Sequence, residues 1–232
     1  MKFYSLVIAC VFFTQIINAK TTKVYPDAGS WNTFNVDLVL NKKWTLVFTE
    51  ELRFRENYSR LNLFYTNIGA EYKLNKYIRF GLIYRWINKF LDDNSFSFRN
   101  RLMLDVNAKV PFKDNWAVSY RHRLQTEYRD FFVDENGKIA EWYSRNRVEF
   151  SYQINERLGA ALGAEFRYQI YNRRFENSQG QWHRMRFQGG VDYKVNNNNK
   201  VGAYYLIQRE FNIDQPQRIF ITGLEYSHRF KL

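Results

Sequence analysis

Cysteine is almost missing from this chain: the single residue, Cys10, leaves no partner for a disulfide and no cysteine cluster for zinc or iron–sulfur ligation. Histidine is nearly as scarce. His122, His183 and His228 are the three present, and none sits in a metal-ligand spacing such as His-x-x-x-His. With only three prolines and eleven glycines, the chain has no collagen-like repeat, no Pro/Gly linker and no break in composition, so a single domain is expected. Helical periodicity is convincing nowhere. No apolar run comfortably spans a bilayer as a helix. The longest, Phe3 to Ile17, follows Lys2 and precedes Asn18-Ala19, the layout of a secretory signal peptide over residues 1–19 cleaved after Ala19. Val7-Ile8-Ala9-Cys10 resembles a lipoprotein cleavage site, but cutting there would leave a strongly apolar new N-terminus, Val11 to Ile17.

What the chain does have is aromatic residues and charge in close alternation. Aromatics make up 19% while mean hydropathy is −0.55, so large apolar side chains are interleaved with charged ones and intrinsic disorder is excluded. A net charge of +12 raises nucleic acid as a partner. The arginines argue against it: they are dispersed among aliphatic and aromatic residues, with no recognition helix, zinc spacing or RNA-binding aromatic motif. From residue 31 onward apolar residues recur at every second position, the period of a two-faced strand. The segments are 31–40, 44–55, 61–74, 77–90, 96–110, 116–127, 142–154, 158–171, 183–195, 200–211 and 218–231. Short connections, at 41–43, 75–76, 111–115, 155–157 and 196–199, alternate with longer polar ones such as 88–95, 128–141 and 172–182.

This alternation of short and long connections is the grammar of an outer-membrane barrel, with tight periplasmic turns and longer surface loops. Within segment 77–90, Ile78, Phe80, Leu82, Tyr84 and Trp86 share one face, and Arg79, Gly81, Ile83 and Arg85 the other. A soluble sandwich alternates too, but buries its apolar face. Two features favour the inside-out arrangement. Trp44 and Trp116 open strands just after short turns while Trp86, Trp142 and Trp182 lie near long loops, as aromatic girdles do at two membrane interfaces. The chain also ends in an alternating strand with Phe220, Leu224, Tyr226, Phe230 and Leu232 on one face, which resembles an outer-membrane targeting strand. The expected fold is therefore all-β: an antiparallel transmembrane up-and-down β-barrel over residues 31–232, preceded by an N-terminal segment, 20–30. Eleven segments sit badly with the even strand number usual in bacterial barrels. A weak strand at 20–29 would make twelve, and one segment outside the wall would make ten, so about twelve strands are expected, with a range of ten to twelve.

Gly29-Ser30-Trp31 leads to Leu40-Asn41-Lys42-Lys43-Trp44, then Glu50-Glu51-Leu52-Arg53-Phe54-Arg55, then Gly69-Ala70-Glu71-Tyr72-Lys73-Leu74-Asn75-Lys76. This succession resembles domain-of-unknown-function family 2490, found mainly in Bacteroidetes. The resemblance covers nearly the whole mature chain. It implies a barrel and an outer-membrane location, and carries no active site to transfer.

If the apolar face meets lipid, the polar face forms a charged lumen. Its candidate network comprises Arg53, Arg79 and Arg85; Arg99, Arg101 and Asp105; Arg121 and Arg123; Arg145, Arg147 and Glu149; Glu165 and Arg167; and Arg184 and Arg186. Turn geometry predicts partners: pairing Val110 with Trp116 sets Asp105 opposite Arg121, and pairing Ile154 with Leu158 sets Arg147 opposite Glu165. A salt-bridged, hydrated core with a structural or surface-interaction role is the first reading. The alternative is a small channel favouring anions, because guanidinium forks match carboxylates and phosphates. A third reading, a hydrolase facing lipid, rests on His122 sharing the apolar face with Ser144 and Asn146. No Ser stands two positions from His122, so an interfacial polar residue is the expected role. Asp134-Glu135-Asn136-Gly137 lacks the remaining ligands of a calcium loop, and the glycines at 159, 163, 189, 190 and 202 precede no helix that could cradle a phosphate. No cofactor, no metal and no reaction is expected. The expected partners are outer-membrane lipids, lipopolysaccharide and the barrel assembly machinery, with no nucleic acid.

Overall fold

The computed structural model describes residues 24–93, 95–129, 138–172, 180–213 and 215–232. The segment 1–19 expected to be a signal peptide, with Cys10, and the calcium-like run at 134–137 lie outside them. Eleven strands follow in chain order: β1 (Tyr25–Val39), β2 (Trp44–Arg55), β3 (Arg60–Lys73), β4 (Ile78–Phe90), β5 (Phe96–Lys113), β6 (Trp116–Arg129), β7 (Glu141–Gln153), β8 (Leu158–Tyr171), β9 (Gln181–Lys194), β10 (Asn199–Glu210) and β11 (Gln217–Lys231). Each pairs with its sequence neighbours, and β1 pairs with β11 to close the barrel.

The strand count falls within the expected range and decides how the wall closes. In an up-and-down barrel an odd count makes the first and last strands run the same way, so the closing pair must be parallel. It is: β1 and β11 match from Tyr25 with Gln217 to Val39 with Lys231, while the other ten pairs are antiparallel. Among the described residues no separate strand forms before Trp31. Residues 25–30 extend β1 instead, six positions earlier than the segment predicted from alternation. Proline is tolerated at position 26 because β1 is paired on one side only there; its pairing with β2 starts at Trp31. Gly29 is demanded by close approach: a Cβ at this position would lie 2.1 Å from the Phe54 carbonyl oxygen. The Asp27 carboxylate accepts from the amides of Glu56 and Asn57, both at 3.2 Å, tying the start of β1 to the β2–β3 loop.

Four short turns repeat one device. The side chains of Asn41, Asn75, Asn155 and Asn196 each accept from the backbone amides two and three residues on, at 2.8–2.9 Å. Such an Asx turn lets asparagine replace a backbone partner and fixes the reversal locally. The fifth turn differs. β5 runs on through Pro111 to Lys113 with a bulge, leaving only Asp114-Asn115 to reverse the chain.

The side chains are distributed inside out. Leu82 is 52% exposed and Leu162 69%, whereas the inward Met103 and Gln125 are 0% and 1% exposed. Trp44, Trp86, Trp116, Trp142 and Trp182 all lie exposed on the outer face. An exposed apolar band around a charged interior is the reverse of a soluble sandwich.

Candidate functional site

Odd-numbered positions of β1 to β6 point inward, and this parity gathers the arginines. Cross-strand neighbours bring them to carboxylates. Arg123 forks onto Asp105 through Nε and Nη2, both at 2.6 Å. Glu127 accepts from Arg101 Nε at 2.9 Å and from Arg99 at 3.3 Å, while Arg129 reaches Glu141 at 2.9 Å. Arg53 pairs with Glu51, Arg147 with Glu149 and Arg184 with Glu210. Glu165 carries the heaviest load: Arg145 at 2.6 Å, Arg121 at 2.7 Å and Arg186 at 3.2 Å all converge on it.

Of the ten arginines that line the central cavity, two have no carboxylate within ion-pair distance among the described residues. Arg85, 7% exposed, donates to the Asn67 amide oxygen at 2.6 Å and lies 3.5 Å over the Tyr65 ring. Arg167 stacks 3.7 Å over Tyr143. Arg53 sits 3.7 Å over Trp31 in the same manner. The π face attracts a cation without neutralising it, so the positive charge stays available.

Of the network expected from sequence, Arg53, Arg85, Arg101, Arg121, Arg123, Arg145, Arg147, Arg167, Arg184, Arg186 and Glu165 line one central cavity of about 390 Å³. Arg79 and Glu149 line a mouth of about 590 Å³ at the short-turn end, with Arg79 on Glu71 at 2.9 Å. Arg99 and Asp105 line neither. Glu71, Arg121 and Arg147 border both spaces, so mouth and cavity adjoin. Toward the long loops, inward side chains of β4 to β11 are buried. Ile87, Gln125, Glu127, Tyr143 and Gln169 are buried on one side of the barrel, and His183, Leu206, Gln208 and Ile221 on the other. At the rim, Arg55 and Arg60 hydrogen-bond Asp92 and hold its carboxyl below the usual carboxylate range.

The partner assignments differ from those read off the turns. Asp105 faces Arg123, two positions beyond the expected Arg121, because the Pro111–Lys113 bulge and the tighter turn shift the β5–β6 register. Arg147 does stand opposite Glu165, yet bonds Glu149, while Glu165 is taken by Arg121, Arg145 and Arg186. Trp31, Tyr65 and Tyr143 were missed as supports for arginine. Their signal was available: each shares the parity of the charged residues on its own strand.

On the outer face, His122 and Asn146 are cross-strand partners, with Nδ1 2.9 Å from Oδ1. Asn146 also accepts from the Tyr120 hydroxyl at 2.6 Å and donates to Ser144 at 3.5 Å. Among the described residues this cluster contains no His122–Ser144 hydrogen bond. His183 is the extra residue of a bulge where Arg167 pairs with Arg184 and Tyr168 with Trp182, and its ring lies 5.6 Å from Tyr143. His228 bonds Asn199 at 2.6 Å. Among the described residues no group of three potential metal ligands forms.

The profile of a family described as "Protein of unknown function (DUF2490)" matches residues 28–218. A solved structure described as the NanC porin in a rhombohedral crystal form is similar, with 12% identity and a TM-score of 0.49, over 82% of this chain and 90% of that one. No curated protein matches the sequence.

Proposed function

The chain belongs to the DUF2490 family of proteins of unknown function, and from that premise we propose that it is a non-enzymatic, integral outer-membrane β-barrel with a structural or surface-interaction role. The exposed apolar band between two sets of tryptophans supports the location, because a barrel leaves no backbone edge unpaired in lipid. The observation that carries the role is the loop-side interior, where inward side chains of β4 to β11 are buried. That packing supports a sealed interior better than a steady water path from mouth to loops. Outer-membrane lipids, lipopolysaccharide and the barrel assembly machinery are the partners this location implies. The outer-face His122 cluster supports an interfacial polar patch better than a hydrolase, since its hydrogen bonds run through Asn146 and join no base to a nucleophile.

One observation favours a second reading, a small anion-favouring channel: ten arginines against five carboxylates line the central cavity. Planar-bilayer recording of the purified protein under a salt gradient separates the two. The sealed barrel is expected to show no steady conductance. Steady conductance with a reversal potential of anion selectivity would replace it with the channel.

A further inference from the structure

The central cavity adjoins the short-turn mouth, with which it shares Glu71, Arg121 and Arg147, while toward the long loops inward side chains of β4 to β11 are buried. Its charges do not cancel. Glu165 answers three guanidiniums with one negative charge, and Arg85 and Arg167 have no carboxylate partner among the described residues. Asp105, Glu127, Glu149 and Glu210, just behind the lining, neutralise Arg123, Arg101, Arg147 and Arg184 in turn, so the uncompensated charge is concentrated on Arg85, Arg167 and the three guanidiniums that share Glu165. The Nε atoms of Arg121, Arg167 and Arg184 are buried with no hydrogen-bond partner. Buried cations without counter-charge are costly, and guanidinium forks match carboxylate and phosphate oxygens in pairs.

We infer that this cavity is a binding site for a small oxyanion carrying two or more negative charges, a polycarboxylate or phosphate, that enters from the short-turn side. The inference rests on the barrel reading above but not on the absence of conduction. A monovalent ion would offset only part of the surplus, and a bulky ligand would not fit. The volume of about 390 Å³ lies in the range of small-molecule sites and equals roughly a dozen waters at ~30 Å³ each.

The test is calorimetric titration of the folded full-length protein in detergent with citrate, and separately with inorganic phosphate, each against chloride at matched ionic strength. Saturable binding of either probe beyond the chloride response is expected. Equal responses to all three mean ionic screening only and overturn the site. The Arg85→Gln/Arg167→Gln pair is expected to weaken binding by about tenfold or more, while Arg79→Gln, at the mouth, changes it little. Full affinity in the folded double variant would also overturn the site. If that variant does not fold, the wild-type titration decides alone. Binding together with steady conductance would retain the site and remove the sealed-barrel function; no binding and no conductance would do the reverse.

Discussion

A single carboxylate, Glu165, holds Arg121, Arg145 and Arg186 within 3.2 Å or less. Glu165→Gln would leave three guanidiniums facing one another, and is expected to lower stability by about 3–5 kcal/mol, the cost of breaking a buried pair. Arg121→Gln removes one of the three and leaves the carboxylate paired, so its loss should be clearly smaller; urea unfolding of the two variants in detergent checks the order. The Asp105–Arg123 fork offers a cleaner coupling. Asp105→Asn and Arg123→Gln should each destabilise more than the two together, because the double variant leaves no unpaired charge. Strand parity was enough to place these charges on one face. Which carboxylate each arginine bonds was not legible, because partner choice depends on register, and one bulge after Pro111 moved Asp105 from Arg121 to Arg123.

The strands themselves could be read because their punctuation is local. Asn41, Asn75, Asn155 and Asn196 each close a turn with bonds that never leave four residues, so a turn visible in the sequence is a turn in the structure. Replacing Asn155 by Ala removes the side-chain oxygen that accepts from two backbone amides at an exposed site and should cost about 1 kcal/mol, measured as a shift in the urea midpoint. Pairing between β1 and β11 has no such local signature, and neither does the continuation of β1 back to Tyr25, which depends on the distant Gln217. The two faces differ in tolerance. Leu104→Arg places a charge on the outer band and should cost about 2–4 kcal/mol near the bilayer midplane, lowering the yield of assembled barrel. Arg79→Gln, in the open mouth, should assemble like wild type.

At the scale of the molecule, the sealed wall is expected to fractionate with the outer membrane and to migrate differently in SDS gels before and after boiling, because closure satisfies the whole backbone ladder until heat opens it. Recovery as a soluble periplasmic protein would remove the membrane reading. The parallel seam sets the order in which the wall can form. Ten of the eleven strand pairs join neighbours in sequence and can zip one after another. The seam brings together residues as distant as Asn35 and Ser227, 192 positions apart. Loop-closure entropy makes that encounter unfavourable until the intervening hairpins have shortened the effective loop. Closure is therefore expected to come last, and a chain halted before it carries two unpaired edges, β1 and β11, each a template for another chain. Gly29→Val, which drives a side chain into the Phe54 backbone beside the seam, should then yield cross-linkable multimers joined edge to edge in place of closed monomers.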